Sequence, residues 1–176
     1  MGNELAVILG NLTSVVSGAI APITYISYAV GLVFLGLGIM SLRSFGDGNG
    51  QGRRGKSIAS IFIGVMLLSL TGTYDALSVT LFGHETQMLS SIPSGSGPLS
   101  SYITFAITLV VVVGYYCVVK GLIKIKATGE GREEQFWSGC THIFGGIVCC
   151  NIVSFSKMVG SAAGGIVGDV VNKIFS

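Results

Sequence analysis

Long apolar stretches, separated by short charged segments, dominate the pattern of this chain. Residues 5–42 contain no charged side chain, whereas one helix needs only about 20 apolar residues to cross a hydrocarbon core about 30 Å thick. Pro22 predicts a break in this run, because proline removes a backbone hydrogen bond from a helix interior. We therefore expect an N-terminal amphipathic helix before Pro22 and a first membrane span from Pro22 to Leu42.

Three further membrane spans are predicted downstream, at Ser57–Tyr74, Leu99–Val119 and Gln135–Ser156. The third is rich in β-branched residues, which favour strands in water. In lipid an open strand leaves its backbone polar groups unsatisfied, so a helix is expected. The fourth span contains polar side chains, among them His142 and Asn151, and is expected to face protein rather than lipid.

Two blocks of the sequence recur in the same order. YISYAVGLV from Tyr25 returns as YITFAITLV from Tyr102 with five of nine residues identical, and IFIGV from Ile61 returns as IFGGI from Ile143. An ordered recurrence of this kind predicts an internal duplication. The expected fold is all-α: a helical membrane protein with two duplicated helical hairpins plus N-terminal and C-terminal amphipathic helices.

The duplication also predicts the domain organisation. Residues 1–74 would hold the N-terminal helix and the first hairpin, and residues 99–176 the second hairpin and a glycine-rich tail. Residues 75–98 would link them outside the cytoplasm, because this segment has no Lys or Arg and ends in SSIPSGSGP, a composition typical of loops.

The composition argues against an ordinary soluble domain. Only 10 % of the residues are charged, against about 25 % in average soluble domains, and 27 of the 176 residues are glycine. Glycine lets membrane helices approach one another closely. In the tail, Gly160, Gly164 and Gly168 recur at every fourth position. We expect these three to form a helix-packing face, with a flexible tail as the alternative.

Basic residues cluster in the two segments that join the spans within each hairpin. They are Arg43, Arg53, Arg54 and Lys56 in the first segment, and Lys120, Lys124, Lys126 and Arg132 in the second. Because cytoplasmic loops carry an excess of Lys and Arg, both segments are predicted to lie in the cytoplasm, with both termini and the linker on the other side. The missing basic n-region before Arg43 predicts that there is no cleaved signal peptide.

The first basic segment contains the sequence GQGRRGKS at Gly50–Ser57, which matches the spacing of the phosphate-binding P-loop. That loop needs a preceding strand and an acidic partner for magnesium, and the sequence predicts neither, so nucleotide binding is disfavoured. Three other roles stay open for Arg53, Arg54 and Lys56. They are a topology anchor, attraction to lipid headgroups, and lining of an aqueous conduit for anionic cargo.

The sequence shows no catalytic or metal-binding pattern. All four cysteines lie in apolar stretches and are expected to be free thiols. His142 lies near Cys140, but the spacing matches no zinc template. The first three spans carry no ionisable residue in their interiors, which argues against a proton-coupled transporter. We expect a protein that is not an enzyme and has no metal or cofactor, with bound phospholipid as the one ligand considered.

An uncharged N-terminal helix, a span, a glycine-rich basic turn and a second span resemble the major pilins of type IV secretion and conjugation systems. The whole chain, in length and hydrophobic layout, is most similar to the small polytopic proteins of type IVB systems, the TraQ and DotE/IcmC group. Pilins have one hairpin and usually a cleaved leader, whereas this chain repeats the hairpin. The resemblance implies lumen-facing or headgroup-facing positions for the basic residues. These are Arg43, Arg53, Arg54, Lys56, Lys120, Lys124 and Lys126.

The function implied by this resemblance is that of a structural subunit of a conjugative type IVB secretion apparatus. Such a subunit would self-assemble into a pilus or a membrane translocation channel, in the bacterial inner membrane or, after assembly, in an extracellular pilus. Its partners would be membrane lipid, copies of itself and other secretion-system subunits, with nucleic acid only as transported cargo. The alternatives are a small stand-alone membrane channel or transporter, and a holin-like pore former.

Overall fold

The computed structural model describes residues 2–43, 54–83, 98–129 and 132–165 of the chain. These residues form seven α-helices and contain no strand. The helices are α1 (Gly2–Gly18), α2 (Ile20–Arg43), α3 (Arg54–Leu68), α4 (Leu70–Phe82), α5 (Pro98–Gly129), α6 (Gln135–Cys150) and α7 (Ile152–Ala163). The all-α prediction is confirmed, and the β-branched third span is helical.

The two N-terminal helices are almost continuous. Together they form an apolar helix, Glu4–Arg43, of 40 residues. The break expected at Pro22 is reduced to the single residue Ala19, whose N–H donates to the carbonyl oxygen of Val16 at 3.1 Å. Pro22 lies in the first turn of α2, where a missing N–H group is tolerated because it would have little or no partner within the helix.

The second and fourth spans are sharply bent. Helices α3 and α4 meet at 92° across Ser69, and α6 and α7 meet at 85° across Asn151. The Thr73 hydroxyl donates to the carbonyl oxygen of Met66 at 3.0 Å across the first bend, and the Asn151 side-chain amide donates to that of Ile147 at 3.1 Å. Side chains that bond to backbone carbonyls in this way favour bends. Each of these two segments is therefore a pair of helices broken at a sharp bend, which the sequence pattern did not predict.

Helix α5 is longer than the third predicted span and runs to Gly129. Three lysines expected in a basic turn therefore lie on this helix. They are Lys120, Lys124 and Lys126. The start of the expected linker is also helical, since residues 75–82 belong to α4. Residues 84–97 lie outside the described part of the chain.

Two compact units are distinguished by their internal packing. The first comprises residues 1–20, 75–115 and 146–176, and the second residues 21–74 and 116–145. The first unit has a core of Ile107, Val111 and Val153. In the second unit, Leu67 and Leu122 are buried. Each unit draws on residues from both halves of the sequence.

Glycines allow the helices of each hairpin to pack backbone against backbone. In the first hairpin, a Cβ atom on Gly64 would lie 2.9 Å from the carbonyl oxygen of Gly31. In the second, a Cβ atom on Gly114 would lie 2.7 Å from the carbonyl oxygen of Gly146. These distances leave no room for a methyl group, so the glycines set the separation of the paired helices.

The same packing recurs seven residues further along α2 and α5, at Gly38 and Gly121. A Cβ atom at these positions would lie 2.5 Å from Cγ1 of Ile61 and 2.6 Å from Cγ1 of Ile143, respectively. A seven-residue spacing keeps a contact stripe on one face of two paired helices. The two hairpins thus have the same internal packing, as a duplication predicts.

Candidate anion-binding pocket

A pocket of about 220 Å³ lies within the second unit, beside the end of α2 and the start of α3. Its walls come from α2, α3 and α5. The lining residues are Leu37, Gly38, Ser41, Lys56, Ser57, Ser60 and Lys126. The structure therefore brings together Lys56 and Lys126, one lysine from each of the two basic segments.

The hydroxyl-bearing wall of the pocket depends on the close approach of α2 and α3. A Cβ atom on Gly38 would lie 3.2 Å from the carbonyl oxygen of Ser57. The Ser57 hydroxyl, on a residue that is 1 % exposed, donates to Oγ of Ser41 at 2.7 Å. The Ser60 hydroxyl donates to the carbonyl oxygen of Phe34 at 2.9 Å. These bonds link the two helices and hold the three hydroxyls in place.

Positive charge reaches the pocket from two directions. Nζ of Lys126 lies 4.2 Å from the ring centroid of Phe34, a cation–π contact that holds the ammonium group in position. Lys56 lies in the first turn of α3, which begins at Arg54. The first N–H groups of a helix lack acceptors within it, and its N-terminal end carries partial positive charge. The electrostatics of the pocket therefore favour a negatively charged group.

The P-loop-like motif ends at this pocket, since its last two residues, Lys56 and Ser57, both line it. Helix α2 is the element before the motif in the described part of the chain, where a P-loop has a strand. None of the seven described residues that line the pocket is acidic, so they offer no carboxylate to magnesium. The described residues of this arrangement suit a small anion and lack the strand and the carboxylate of a P-loop.

Three of the other predicted basic residues, Arg43, Lys120 and Lys124, are described and do not line the pocket. Arg43 is exposed at the last position of α2, where the helix dipole favours a positive charge. Lys120 is also exposed, and its Nζ lies 5.8 Å from the ring centroid of Tyr116. Arg53 lies outside the described residues, and Arg54 is described only as the first residue of α3.

Lys124 belongs to a separate polar cluster that the sequence did not predict. Its Nζ donates to Oγ of Ser138 at 2.7 Å and lies 3.4 Å from Nε2 of His142. Nδ1 of His142 lies 2.6 Å from the carbonyl oxygen of Ser138. Because a carbonyl only accepts, Nδ1 carries the hydrogen and Nε2 accepts from the lysine. The four-residue spacing of Ser138 and His142 on one helix was the available signal.

Of the three tail glycines expected to form a packing face, the structure describes Gly160 and Gly164. Gly160 is buried, but α7 ends at Ala163, and Gly164 has a φ of 63°. The Gly164 N–H donates to the carbonyl oxygen of Gly160 at 3.1 Å, so Gly164 ends the helix. Gly168 lies outside the described residues. Within the described residues, close helix packing is seen at the glycines of the hairpins.

The four cysteines and His142, which lie in the described part of the chain, show no metal-site arrangement. All four cysteines have free thiols, and Sγ of the buried Cys150 donates to the carbonyl oxygen of Val111 at 3.7 Å. Within the described residues, no group of three or more His, Cys, Asp or Glu side chains is placed to hold a metal ion.

Comparisons of the chain with protein-family models, curated proteins and solved structures find no match. The class of the protein therefore follows from its own helices. Two of them, Glu4–Arg43 and Ser100–Thr128, are long and apolar enough to cross a membrane, and the number rises to four if each bent pair is one span. The chain is a helical membrane protein that contains two similar hairpins.

Proposed function

We propose that this protein is a structural subunit, without catalytic activity, of a conjugative type IVB secretion apparatus, and that it self-assembles into a pilus or a translocation channel. In this role it resides in the bacterial inner membrane, or in an extracellular pilus after assembly. Its partners are membrane lipid, copies of itself and other subunits of the apparatus. Nucleic acid is a partner only as transported cargo.

The observation that supports assembly is the exposed surface of the N-terminal helix. In an apolar stretch of 18 residues within Glu4–Arg43, only 17 % is buried inside the chain. The corresponding share for Ser100–Thr128 is 39 %. At about 1.5 Å per residue, a helix of this length measures about 60 Å, roughly twice the thickness of the hydrocarbon core. Lipid tails cover about half of such a length, and copies of the protein would cover the rest.

The exposed face of α1 supplies the apolar surface for this assembly. Its large exposed side chains are Leu5, Val7, Ile8, Leu12 and Val15. The residues that α1 turns towards its own unit include Leu9 and Val16, both half-buried. The helix thus has large apolar side chains on its exposed side as well as its inner side, which is typical of a surface that another molecule covers.

Imaging of the purified full chain by electron microscopy tests the proposal. A helical array or a large ring supports the structural-subunit role. A stand-alone channel or transporter is the second candidate. The bends at Ser69 and Asn151 lie at equivalent positions of the two repeats, because each follows the repeated isoleucine, Ile61 or Ile143, at the same spacing. Transporters built from repeats place their binding sites at such discontinuous helices. A closed small oligomer would favour that candidate, and membrane leakage on expression alone would favour a holin-like pore.

Replacing both Val7 and Val15 by serine should separate assembly from insertion. These side chains are 64 % and 73 % exposed and lie two turns apart on α1. Each buried valine contributes about 1.5 kcal/mol or more at an interface, so we expect the double variant to shift the particle distribution from assemblies to single chains. Its level in the membrane should equal that of the parent, and a Val→Ile pair at the same positions should assemble normally. Unchanged assembly of the serine variant would contradict this use of α1.

The distribution of Lys and Arg predicts the orientation in the membrane. In a chain whose four native cysteines are replaced, a cysteine at Ser44 should react with an impermeant maleimide only from the cytoplasmic side. A cysteine at Ser94 should react only from the opposite side, because its segment carries no positive charge. Labelling of intact cells and of inverted vesicles measures both. The reverse pattern would overturn the orientation.

A further inference from the structure

We propose that the pocket formed by Lys56, Lys126 and the three serines binds the phosphate group of an anionic membrane phospholipid. The site lies within a single chain and requires residues from both hairpins. It does not depend on the secretion role, because one chain in a bilayer already has the complete pocket.

The charge of the pocket sets the class of ligand. Two ammonium groups line it, with the first turn of α3 beside them, and none of its seven described lining residues is acidic. A zwitterionic lipid brings a cationic group next to its phosphate, which the lysines would repel. A lipid with a net negative headgroup brings none, so the pocket should discriminate in its favour.

The chemistry of the lining residues fits phosphate oxygens in particular. Hydroxyl groups, lysine ammonium groups and helix N-terminal amides are the donors that proteins use for phosphate. In this pocket the donors to phosphate are the lysine ammonium groups and the first turn of α3. The hydroxyl hydrogens of Ser57 and Ser60 are already donated to Oγ of Ser41 and to the carbonyl oxygen of Phe34, so these serines shape the wall. The volume of about 220 Å³ is below the 300–1,000 Å³ of pockets for drug-sized ligands. A volume of this size admits a headgroup phosphate.

The surroundings of the pocket favour a lipid over free phosphate. Leu37, one of the lining residues, is 52 % exposed, and Met40 on the same helix is 71 % exposed. Both belong to α2, which is part of the helix Glu4–Arg43 that is long and apolar enough to cross a membrane. A phosphate in the pocket can therefore carry acyl chains that lie along exposed apolar side chains, a feature that a soluble ion would not use.

Lipid titration followed by native mass spectrometry tests this site on the full chain in detergent. We expect phosphatidylglycerol to bind one equivalent more tightly than phosphatidylcholine. A lysine near a membrane surface contributes about 1 kcal/mol, and 1.4 kcal/mol is a factor of ten. Lys56→Gln or Lys126→Gln should therefore weaken phosphatidylglycerol binding about fivefold, and the double variant about 30-fold.

Arg132→Gln is the matched control, because this substitution also removes one positive charge. Arg132 is exposed in the second basic segment and is absent from the pocket lining. This variant should bind phosphatidylglycerol as the parent does. An equal loss in Arg132→Gln would show that general surface charge attracts the lipid and would overturn the pocket. Displacement of the lipid by an equal concentration of inorganic phosphate would instead identify a free-phosphate site and overturn the lipid assignment.

Unaltered phosphatidylglycerol binding in the double lysine variant would also overturn the proposal, provided that its helical content and melting temperature match those of the parent. Failure of this site leaves the assembly hypothesis intact, because assembly is measured separately on the exposed face of α1.

Discussion

Replacing Gly64 or Gly114 by alanine should destabilise the protein, although alanine is normally the better helix former. The new methyl carbon at Gly64 would lie 2.9 Å from both the carbonyl oxygen of Gly31 and the backbone nitrogen of Leu35. At Gly114 it would lie 2.7 Å from the carbonyl oxygen of Gly146. Backbone atoms cannot rotate away, so the paired helices must separate. Overpacking of this kind costs about 1–3 kcal/mol and sometimes more.

Gly36→Ala and Gly145→Ala provide the matched controls. These glycines lie on the same hairpins, and a Cβ atom at either would meet nothing within 4 Å in its own chain. Alanine in a helix interior is favoured over glycine by up to about 1 kcal/mol, so the controls should be unchanged or more stable. The free energy of unfolding in mixed detergent micelles measures all four variants. Equal effects at packed and open glycines would refute the packing account.

The sequence repeat predicted the duplication but gave only part of its register. The second block pairs Ile61 with Ile143, and the structure places both against the corresponding glycines of their hairpins. The first block pairs Gly31 with Thr108, whereas the packing pairs Gly31 with Gly114. Apolar membrane helices share a small set of residue types, so a local match can be shifted along the helix. The positions that need glycine are a better guide to register, because a larger residue cannot occupy them.

The class of fold was predictable, because in lipid a backbone must satisfy its own hydrogen bonds and a helix does so within one segment. The bends were less predictable. Ser69 and Asn151 each lie in runs with more apolar than polar residues, and hydropathy reads such a run as one span. A bend depends on where a polar side chain finds its partner. Asn151 has that partner in Ser78, which is distant in the sequence and brought close only by the fold.

The residues that line the pocket were also only partly predictable from the sequence. The sequence identified Lys56 and Lys126 as basic residues near the membrane surface but assigned them to separate turns. It did not show that α5 continues past Lys126. Because Lys126 lies on this helix, the helix determines the direction of its side chain. It also gave the serines no role. The serines line a pocket only because α2 packs closely on α3 at Gly38. The spacing of residues along the chain does not determine this tertiary contact.

Asn151→Leu should be the most disruptive substitution of a polar residue among the described helices. Asn151 is 5 % exposed, and Ser78 is fully buried. The Ser78 hydroxyl donates to Oδ1 of Asn151 at 3.2 Å, while Nδ2 of Asn151 donates to the carbonyl oxygen of Ile147 at 3.1 Å. Leucine has a similar volume and makes neither bond. Losing a partner of a buried polar group costs about 1–3 kcal/mol, and we expect a loss at the upper end of this range.

A double-mutant cycle with Ser78→Ala shows whether the pair itself is responsible. Once the serine hydroxyl is gone, leucine at position 151 no longer faces a buried donor, so part of the loss should be recovered. Contacting residues usually show coupling of 0.5 kcal/mol or more. Thr141→Val is the control, because the exposed Thr141 also donates to a backbone oxygen of α6, that of Trp137, at 2.8 Å. It should change the free energy of unfolding by less than about 0.5 kcal/mol. If the two changes in the free energy of unfolding are additive, the Ser78–Asn151 bond does not stabilise the bend.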